Sequence, residues 1–267
     1  MQAINAETVM LIPNSPDIPA GNGRLAVLGG CGGIGRELVA AAIRRGLRVA
    51  VLDLASSLER HPPPAGVLNF AIDATDPHSV AQVFSSLDGE WGALDGFVNL
   101  CGYMHDNEPL SSMATDTWTD IVNGNLNSMY IAATAALPLL AKGDDPAIVH
   151  AASGLGQFIR PGFGAYAAAK AGVVALTKTL ALENAPGLRV NAVAPSAVDT
   201  AFLRGGTGRS SEDEELHLDI DAYVSVIPVK RIATPPDIVE PILFLLSDAS
   251  SYMTGQVLWI NGGAYMP

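Results

Sequence analysis

Seven short runs rich in β-branched and other apolar residues alternate along this chain with segments of helical length. The runs read RLAVLGG, RVAVLDL, GVLNFAI, DGFVNL, AIVHAAS, RVNAVAP and QVLWING. Strands that alternate with helices indicate a parallel sheet covered by helices on both faces. No change of composition, repeat or low-complexity tract divides the 267 residues. We therefore predict an α/β fold: a single doubly wound Rossmann domain with a mostly parallel, seven-stranded sheet.

Two segments are expected to lie outside this regular pattern. Residues 1–23 are rich in proline and polar residues and lack the basic and apolar regions of a secretory signal, so they predict an N-terminal extension to a domain of residues 24–267. Residues 204–226 begin with glycine and serine and continue with six acids interleaved with apolar side chains. This composition predicts either a solvated surface helix or a substrate lid around residues 200–230.

The charge and cysteine content narrow the range of partners. With 27 acids against 15 bases the net charge is −12, so the chain lacks the basic surface that nucleic acids and anionic membranes require. Cys31 and Cys101 are isolated, which predicts neither a disulfide nor a metal site and favours a reducing, cytoplasmic location. We therefore expect a small-molecule substrate and no nucleic acid, membrane or metal ion.

Two predicted helices carry unusually little charge. Residues 121–141 contain no charged side chain over 21 positions, yet several asparagines make a membrane span a poor interpretation. Residues 163–185 are mostly alanine, valine and leucine. A helix that is apolar nearly all round must be buried nearly all round, and the sheet covers only one side. We predict that a second copy of the chain covers the other side.

A glycine-rich turn joins the first predicted strand to the first helix. The turn reads GGCGGIG, and backbone N–H groups at such a helix start can approach a phosphate. Asp53 ends the second strand 18 residues after Gly35, where a carboxylate can accept hydrogen bonds from a ribose diol. Asp73 and Asn99 end the third and fourth strands, at the sheet edge where ligands bind. The pattern predicts a dinucleotide site that favours NAD.

The short stretch YAAAK places Tyr166 and Lys170 one helical turn apart in an apolar run. A neighbouring ammonium favours the phenolate and is expected to lower the tyrosine pKa towards working pH. The pair therefore predicts a general acid and base for proton transfer to or from a substrate oxygen.

These motifs, in this order and spacing, resemble those of the short-chain dehydrogenase/reductase family over roughly residues 24–263. The family's TGxxxGIG, NNAG, helix asparagine, serine, YxxxK and PGxxxT are matched by Gly29, Gly33, Ile34, Gly35, Asn99, Gly102, Asn125, Ser153, Tyr166, Lys170, Pro195 and Thr200. The departures are Leu28 for threonine, Leu100 and Cys101 within NNAG, and Ser196 for glycine. Ser196 puts the path of its loop in question, because glycine permits backbone angles that serine disfavours.

The resemblance implies the roles of individual residues. In the implied catalytic set Tyr166 is the general acid and base, Ser153 positions the substrate oxygen and Lys170 also binds the nicotinamide ribose. Asn125 holds a water in a proton relay. The implied cofactor contacts are Gly29, Gly33, Ile34, Gly35, Asp53, Leu54, Asp73, Ala74, Asn99, Cys101, Gly102, Tyr166, Lys170, Pro195, Val198 and Thr200. The substrate candidates flank the catalytic loops: Tyr103, Met104, Gln157, Phe158, Phe163 and Phe202.

The favoured hypothesis is an NAD-dependent oxidoreductase that interconverts a neutral, hydrophobic secondary alcohol and its ketone. By the resemblance it is a homotetramer, with a dimer as the alternative. A 3-oxoacyl-carrier-protein reductase is a second hypothesis, disfavoured because Asp53 would repel a 2′-phosphate and the acidic segment would repel an acidic carrier. A nucleotide-binding protein without turnover is a third, disfavoured by the intact catalytic set.

Overall fold

Seven parallel strands form one sheet in the computed structural model, which describes residues 23–104, 107–204, 212 and 218–266. The strands are β1 (Arg24–Leu28), β2 (Arg48–Asp53), β3 (Leu68–Ala71), β4 (Gly96–Asn99), β5 (Ala147–Ala151), β6 (Arg189–Pro195) and β7 (Val257–Ile260). Their order across the sheet is β3-β2-β1-β4-β5-β6-β7. Each strand coincides with one of the predicted runs, so the doubly wound, seven-stranded prediction is confirmed.

The connections between the strands are mainly helical. The helices are α1 (Gly33–Arg44), α2 (Ala55–Arg60), α3 (Pro77–Trp91), α4 (Thr115–Val122), α5 (Ser128–Leu140), α6 (Gly164–Asn184), α7 (Ile220–Val226) and α8 (Pro235–Leu246). Short 3-10 turns lie at Gly154–Gly156, Ala201–Arg204 and Asp248–Ser250. The chain thus alternates strand and helix, as its periodicity indicates.

Alternate side chains of the strands point to opposite faces of the sheet. Phe97 and Ile148 lie in a core with side chains of α3, α5 and α6. Val98 and Val149 lie in a second core with side chains of α1 and α8. Because both faces are buried, the strands read as continuous apolar runs rather than as alternating ones.

The uncharged stretch of residues 121–141 is helical up to Leu140, but one turn of it is widened. A π-helical turn (Asn123–Asn127) joins α4 to α5. The Asn125 side chain donates to the carbonyl oxygen of Ile121 at 2.9 Å, so an amide side chain satisfies a carbonyl in the widened turn. No helix within the described ranges has the length and apolarity that crossing a bilayer requires.

Part of the acidic segment is described. Ala201–Arg204 forms a 3-10 turn, Glu212 lies beside α2, and α7 begins at Ile220 with Asp219 as its cap. Residues 205–211 and 213–217 lie outside the described residues, as do residues 1–22 of the predicted extension. The lid and the extension therefore stay predictions.

Candidate active site

The strand order reverses direction between β1 and β4, and in open parallel sheets this reversal defines a crevice at the carboxyl ends of the two strands. The loops that follow these two strands lie against each other. A Cβ atom on Gly29 would lie only 3.2 Å from the backbone carbonyl carbon of Leu100. Ligands of open parallel sheets bind at such a reversal point.

The glycine turn brings the backbone close to any group in this crevice. Gly29 has a φ of 81°, which favours glycine, and its N–H donates to Leu52 O at 2.8 Å. A Cβ on Gly35 would overlap the Gly29 carbonyl oxygen, and one on Gly33 would lie 2.5 Å from Thr200 Cγ2. The cap of α1 is Gly32, so no side chain caps the first-turn N–H groups of this 12-residue helix. The turn fits a dinucleotide pyrophosphate.

Asp53 ties the glycine turn to the end of β2. Its Oδ2 accepts the N–H of Cys31 at 2.8 Å, and its Oδ1 accepts the N–H of Leu54 at 2.8 Å. Burial, together with the Asp53 charge, raises the pKa of the Cys31 thiol to about 12. The Cys31 thiol also bonds to this carboxylate, whose two oxygens offer about four lone-pair sites, so about one site is left for a ribose hydroxyl.

The remaining predicted cofactor residues border the same edge of the sheet. Asp73 is exposed and accepts the N–H and the hydroxyl of Thr75 at 2.9 and 2.6 Å, while Asp76 caps α3. Ala74 and Val198 are buried, and Thr200 lies against the glycine turn. Ser196 is not among the described residues with positive φ, so the serine fits the path of this loop.

Ser153, Tyr166 and Lys170 meet where β5 faces the start of α6. The Ser153 side chain lies beside the Tyr166 phenol, close enough to favour its phenolate form. The Nζ atom of Lys170 lies 5.6 Å from the centroid of the Tyr166 ring and donates to the carbonyl oxygen of Ala151 at 2.9 Å. All three side chains are buried. The predicted spacing thus brings a phenol, a hydroxyl and an ammonium together.

Asn125 completes this cluster from the π-helical turn. Its Nδ2 donates to Tyr103 O at 2.8 Å, and its Oδ1 accepts the Tyr103 N–H at 3.2 Å. A Cβ on Gly102 would lie 2.5 Å from Asn125 Oδ1 and 3.1 Å from Lys170 Nζ. The four predicted catalytic residues are therefore neighbours, and the Asn125 side chain also anchors the loop after β4.

The prediction that the pKa of Tyr166 falls is wrong for the protein alone. Burial raises the pKa of this phenol to about 12, against the opposing effect of the Ser153 side chain. Burial also lowers the pKa of Lys170 to about 8. The physical reason is that removal from water disfavours both charged forms, and the ammonium already donates to Ala151 O. The phenol is consequently protonated at neutral pH.

A small, partly open apolar recess lies beside the phenol. Its apolar lining consists of Met104, Met113, Ile121, Phe163, Ala165 and Tyr166. Met104 and Phe163 thus lie where a substrate would meet Tyr166, and Phe202 packs with its ring centroid 6.4 Å from that of Tyr166. The recess thus places apolar side chains next to the acid–base pair.

Besides Phe202, which packs on Tyr166, three substrate candidates lie outside that lining. Tyr103 is a packing residue instead, because its ring fills the space beside Gly124 and its hydroxyl donates to Asp120 O at 2.8 Å. Gln157 is exposed, and Phe158 stacks on Tyr265 with ring centroids 3.8 Å apart. Sequence reasoning missed Tyr265, because no motif marks a residue that reaches the site from the far end of the chain.

Two further side chains near the site were also missed. His150 is buried on β5, three residues before Ser153, and Glu212 pairs with His61 at 2.9 Å and with Arg60 at 3.5 Å. Neither belongs to a motif. Within the described ranges no three His, Cys, Asp or Glu side chains converge as metal ligands would.

The sheet, the glycine turn and the buried Ser–Tyr–Lys cluster together define an oxidoreductase of the dinucleotide-binding class. A family model described as Enoyl-(Acyl carrier protein) reductase matches residues 29–265. The 3-oxoacyl-(acyl-carrier-protein) reductase FabG of Vibrio harveyi is 33% identical over 250 residues, which are 91% of this chain and 98% of that protein. The chain belongs to the short-chain dehydrogenase/reductase family.

Solved structures show the same likeness. The aldohexose dehydrogenase of Thermoplasma acidophilum in ligand-free form has a TM-score of 0.81 at 28% identity, covering 92% of this chain and 96% of that one. The 3-ketoacyl-(acyl-carrier-protein) reductase of Brucella melitensis complexed with NADH has a TM-score of 0.82 at 25% identity, covering 92% of this chain and 99% of that one. The names of these relatives span more than one substrate class.

Proposed function

We propose that the protein transfers hydride between NAD(H) and a neutral, apolar alcohol or ketone, with Tyr166 as the general acid and base. The observation that carries the proposal is the buried cluster of Ser153, Tyr166 and Lys170 beside an apolar recess. The bound nicotinamide would supply or accept the hydride. The protein's own residues would position the substrate oxygen and move its proton.

In the reducing direction Tyr166 donates its phenolic proton to the carbonyl oxygen, and in the oxidising direction its phenolate takes the proton of the alcohol. A phenol with a pKa of about 12 is protonated at neutral pH, which is the form that donates a proton in the reducing direction. Ser153 orients the same oxygen through its hydroxyl. The Lys170 ammonium stabilises the negative charge that develops on Tyr166. We assign Asn125 to holding the loop after β4 and the proposed proton relay.

The proposed preference for NAD rests on the charges around Asp53. A 2′-phosphate would meet the Asp53 carboxylate, and a neighbouring cation would be needed to offset the repulsion. Arg36 is the candidate cation at the start of α1, but its charge already acts on Glu212 and helps to keep the pKa of that carboxyl low. Arg60 also bonds to Glu212. The Brucella melitensis reductase, a structural neighbour complexed with NADH, is consistent with this preference.

Reduction of a 3-oxoacyl thioester is the second candidate, and the names of the relatives favour it. The net charge of −12 and the acidic segment of residues 212–221 oppose docking of an acidic carrier protein. A thioester on a small carrier such as coenzyme A avoids that protein–protein contact. The two candidates therefore share the same hydride transfer and differ in the group that carries the ketone.

The test is a turnover assay that follows reduced-cofactor absorbance. Secondary ketones, a 3-oxoacyl-CoA and the same 3-oxoacyl group on a carrier protein are compared with NADH and with NADPH. We expect turnover of apolar ketones with NADH, and carrier-linked substrate to be the poorer thioester. Faster turnover of the carrier-linked substrate with NADPH would contradict the proposal and select the second candidate.

We also propose a homo-oligomer, with a tetramer favoured over a dimer. Leu182 at the end of α6 is 82% exposed, and Tyr130 on α5 is 55% exposed. Large apolar side chains this exposed on two neighbouring helices favour burial against another copy. The cytoplasmic location and the absence of nucleic-acid and membrane partners remain proposals from the charge and cysteine content.

A further inference from the structure

His150 is held on β5 in a single tautomer. Its Nδ1 lies 3.0 Å from Thr177 Oγ1, and that hydroxyl lies 2.8 Å from the carbonyl oxygen of Val173. A hydroxyl has one hydrogen, and a carbonyl can only accept it, so Thr177 Oγ1 must accept from the imidazole. The proton therefore sits on Nδ1, and Nε2 presents a bare lone pair.

That lone pair has no partner among the described residues, although His150 is fully buried. Asn99 is its register neighbour on β4, and both side chains lie on the same face of the sheet. Asn99 Oδ1 accepts the N–H of Cys101 at 3.1 Å. This bond identifies the oxygen end of the Asn99 amide, so the opposite end is Nδ2. This Nδ2 is also buried without a partner in the described part of the chain. An unused donor thus neighbours an unused acceptor.

His150 also precedes the residue whose carbonyl oxygen holds the Lys170 ammonium. Lys170 Nζ donates to the carbonyl oxygen of Ala151, the residue that follows His150. The Lys170 charge acts on the imidazole and, after burial, is the second cause that lowers the pKa of His150 to about 4. The other neighbours are neutral: Thr177 on α6, Asn99 on β4 and Ala192 on β6. His150 therefore stays an uncharged acceptor at neutral pH.

We propose that His150 is a positioning residue that one internal water molecule joins to Asn99, the water accepting a hydrogen bond from Asn99 Nδ2 and donating one to His150 Nε2. This water bridge joins the loop of residues 99–102, at the floor of the crevice, to the strand whose carbonyl oxygen holds Lys170. His150 itself does not touch the reacting atoms. Its consequence for turnover rests on the proposed function, whereas the water bridge itself does not.

The test compares two amide substitutions of the same histidine. The terminal atoms of glutamine reach the place of Nε2, whereas those of asparagine reach the place of Nδ1. His150→Gln should therefore retain the acceptor towards Asn99, and His150→Asn should retain only the bond to Thr177. We expect His150→Gln to keep the parental affinity for reduced cofactor, and His150→Asn to bind it about tenfold more weakly, the scale of one lost hydrogen bond.

Cofactor affinity is measured by the quenching of protein fluorescence, and kcat and KM are measured with whichever substrate the turnover assay identifies. The water bridge should position Lys170, so His150→Asn should also move the alkaline limb of the pH–rate profile, and His150→Gln should restore it. If the two variants have the same cofactor affinity and the same pH–rate profile, whether parental or impaired, a role for the Nε2 acceptor is contradicted.

A second measurement requires neither turnover nor a folded protein with a substitution at His150. Nitrogen-15 NMR of the parent protein should show the His150 ring protonated at Nδ1 with a hydrogen-bonded Nε2, and Asn99→Ala should shift only the Nε2 resonance. A proton on Nε2, or no shift in Asn99→Ala, would overturn the inference. If no ketone or thioester is turned over, the proposed function fails while this measurement still decides the role of His150.

Discussion

Replacement of Asp53 by asparagine should remove most of the discrimination between NADH and NADPH. In the parent protein the carboxylate and a 2′-phosphate would approach within about 4 Å, and two unit charges at that distance repel by about 4 kcal/mol at an effective dielectric of 20. Asp53 is only half-buried, so solvent reduces this energy. We expect at least about 2.7 kcal/mol, or a hundredfold preference for NADH in kcat/KM.

The Asp53→Asn variant separates charge from local structure. Its side-chain amide would keep one oxygen to accept an N–H but would present an NH₂ group to the other, so one of the bonds to Cys31 and Leu54 is lost. A lost bond of this kind costs about 1–3 kcal/mol and affects both cofactors, because both bind the same glycine turn. The ratio of the two kcat/KM values therefore reports the charge. We expect the ratio of kcat/KM for NADH to that for NADPH to fall to about ten or less, chiefly because kcat/KM for NADH decreases.

The assay measures kcat/KM for both cofactors at one substrate concentration and at two ionic strengths. The matched control is Asp88→Asn, which also removes one negative charge but lies on α3 and pairs with Lys142. The control should keep the parental ratio, and added salt should reduce the ratio of the parent but not that of Asp53→Asn. A parent protein that uses NADPH as well as NADH would refute the assignment of Asp53.

Four other outcomes follow from the site and its surroundings. Tyr166→Phe should reduce kcat by a factor of about a hundred or more while cofactor affinity, measured by fluorescence, stays near the parental value; near-parental turnover would exclude Tyr166 as the acid. Lys170→Met should weaken both cofactor binding and turnover, whereas an effect on kcat alone would remove its proposed binding role. Burial lowers the pKa of His150 from 6.5 to about 4, so the unfolded chain gains a proton first as pH falls. The free energy of unfolding should therefore drop by about 3 kcal/mol between those pH values in denaturant titrations, and His150→Gln should lack this part of the drop. Sedimentation should show a species larger than the 27.7 kDa chain, and Leu182→Glu should shift it towards the monomer; a parent that sediments only as a monomer would reject the oligomer.

The positions of the strands could be predicted from sequence because each is a local property. A strand buried on both faces must be apolar along its length, and a glycine turn must separate it from a helix that binds phosphate. The spacing of Tyr166 and Lys170 is likewise local, since one helical turn fixes it. These patterns determined the fold class and the family, and they predicted the members of the proposed catalytic set.

The chemical state of those residues depended on burial, which the sequence alone does not specify. Lys170 was expected to lower the pKa of Tyr166, but the surrounding core raises it, because desolvation disfavours the phenolate more than the Ser153 side chain favours it. Tyr103 follows the fourth strand as a pocket residue would, yet its ring turns into the space beside Gly124. Each outcome follows from which side chains the fold places together.

Contacts between distant parts of the chain were decided only by the tertiary structure. Tyr265 reaches Phe158 from the last residues, Glu212 reaches His61 across 151 positions, and His150 faces Asn99 through the register of two strands. A sequence pattern records periodicity within an element, whereas these contacts depend on the strand order and on the path of each loop. The fold class was therefore written in local patterns, and the proton positions and charge pairs around the site were set by packing.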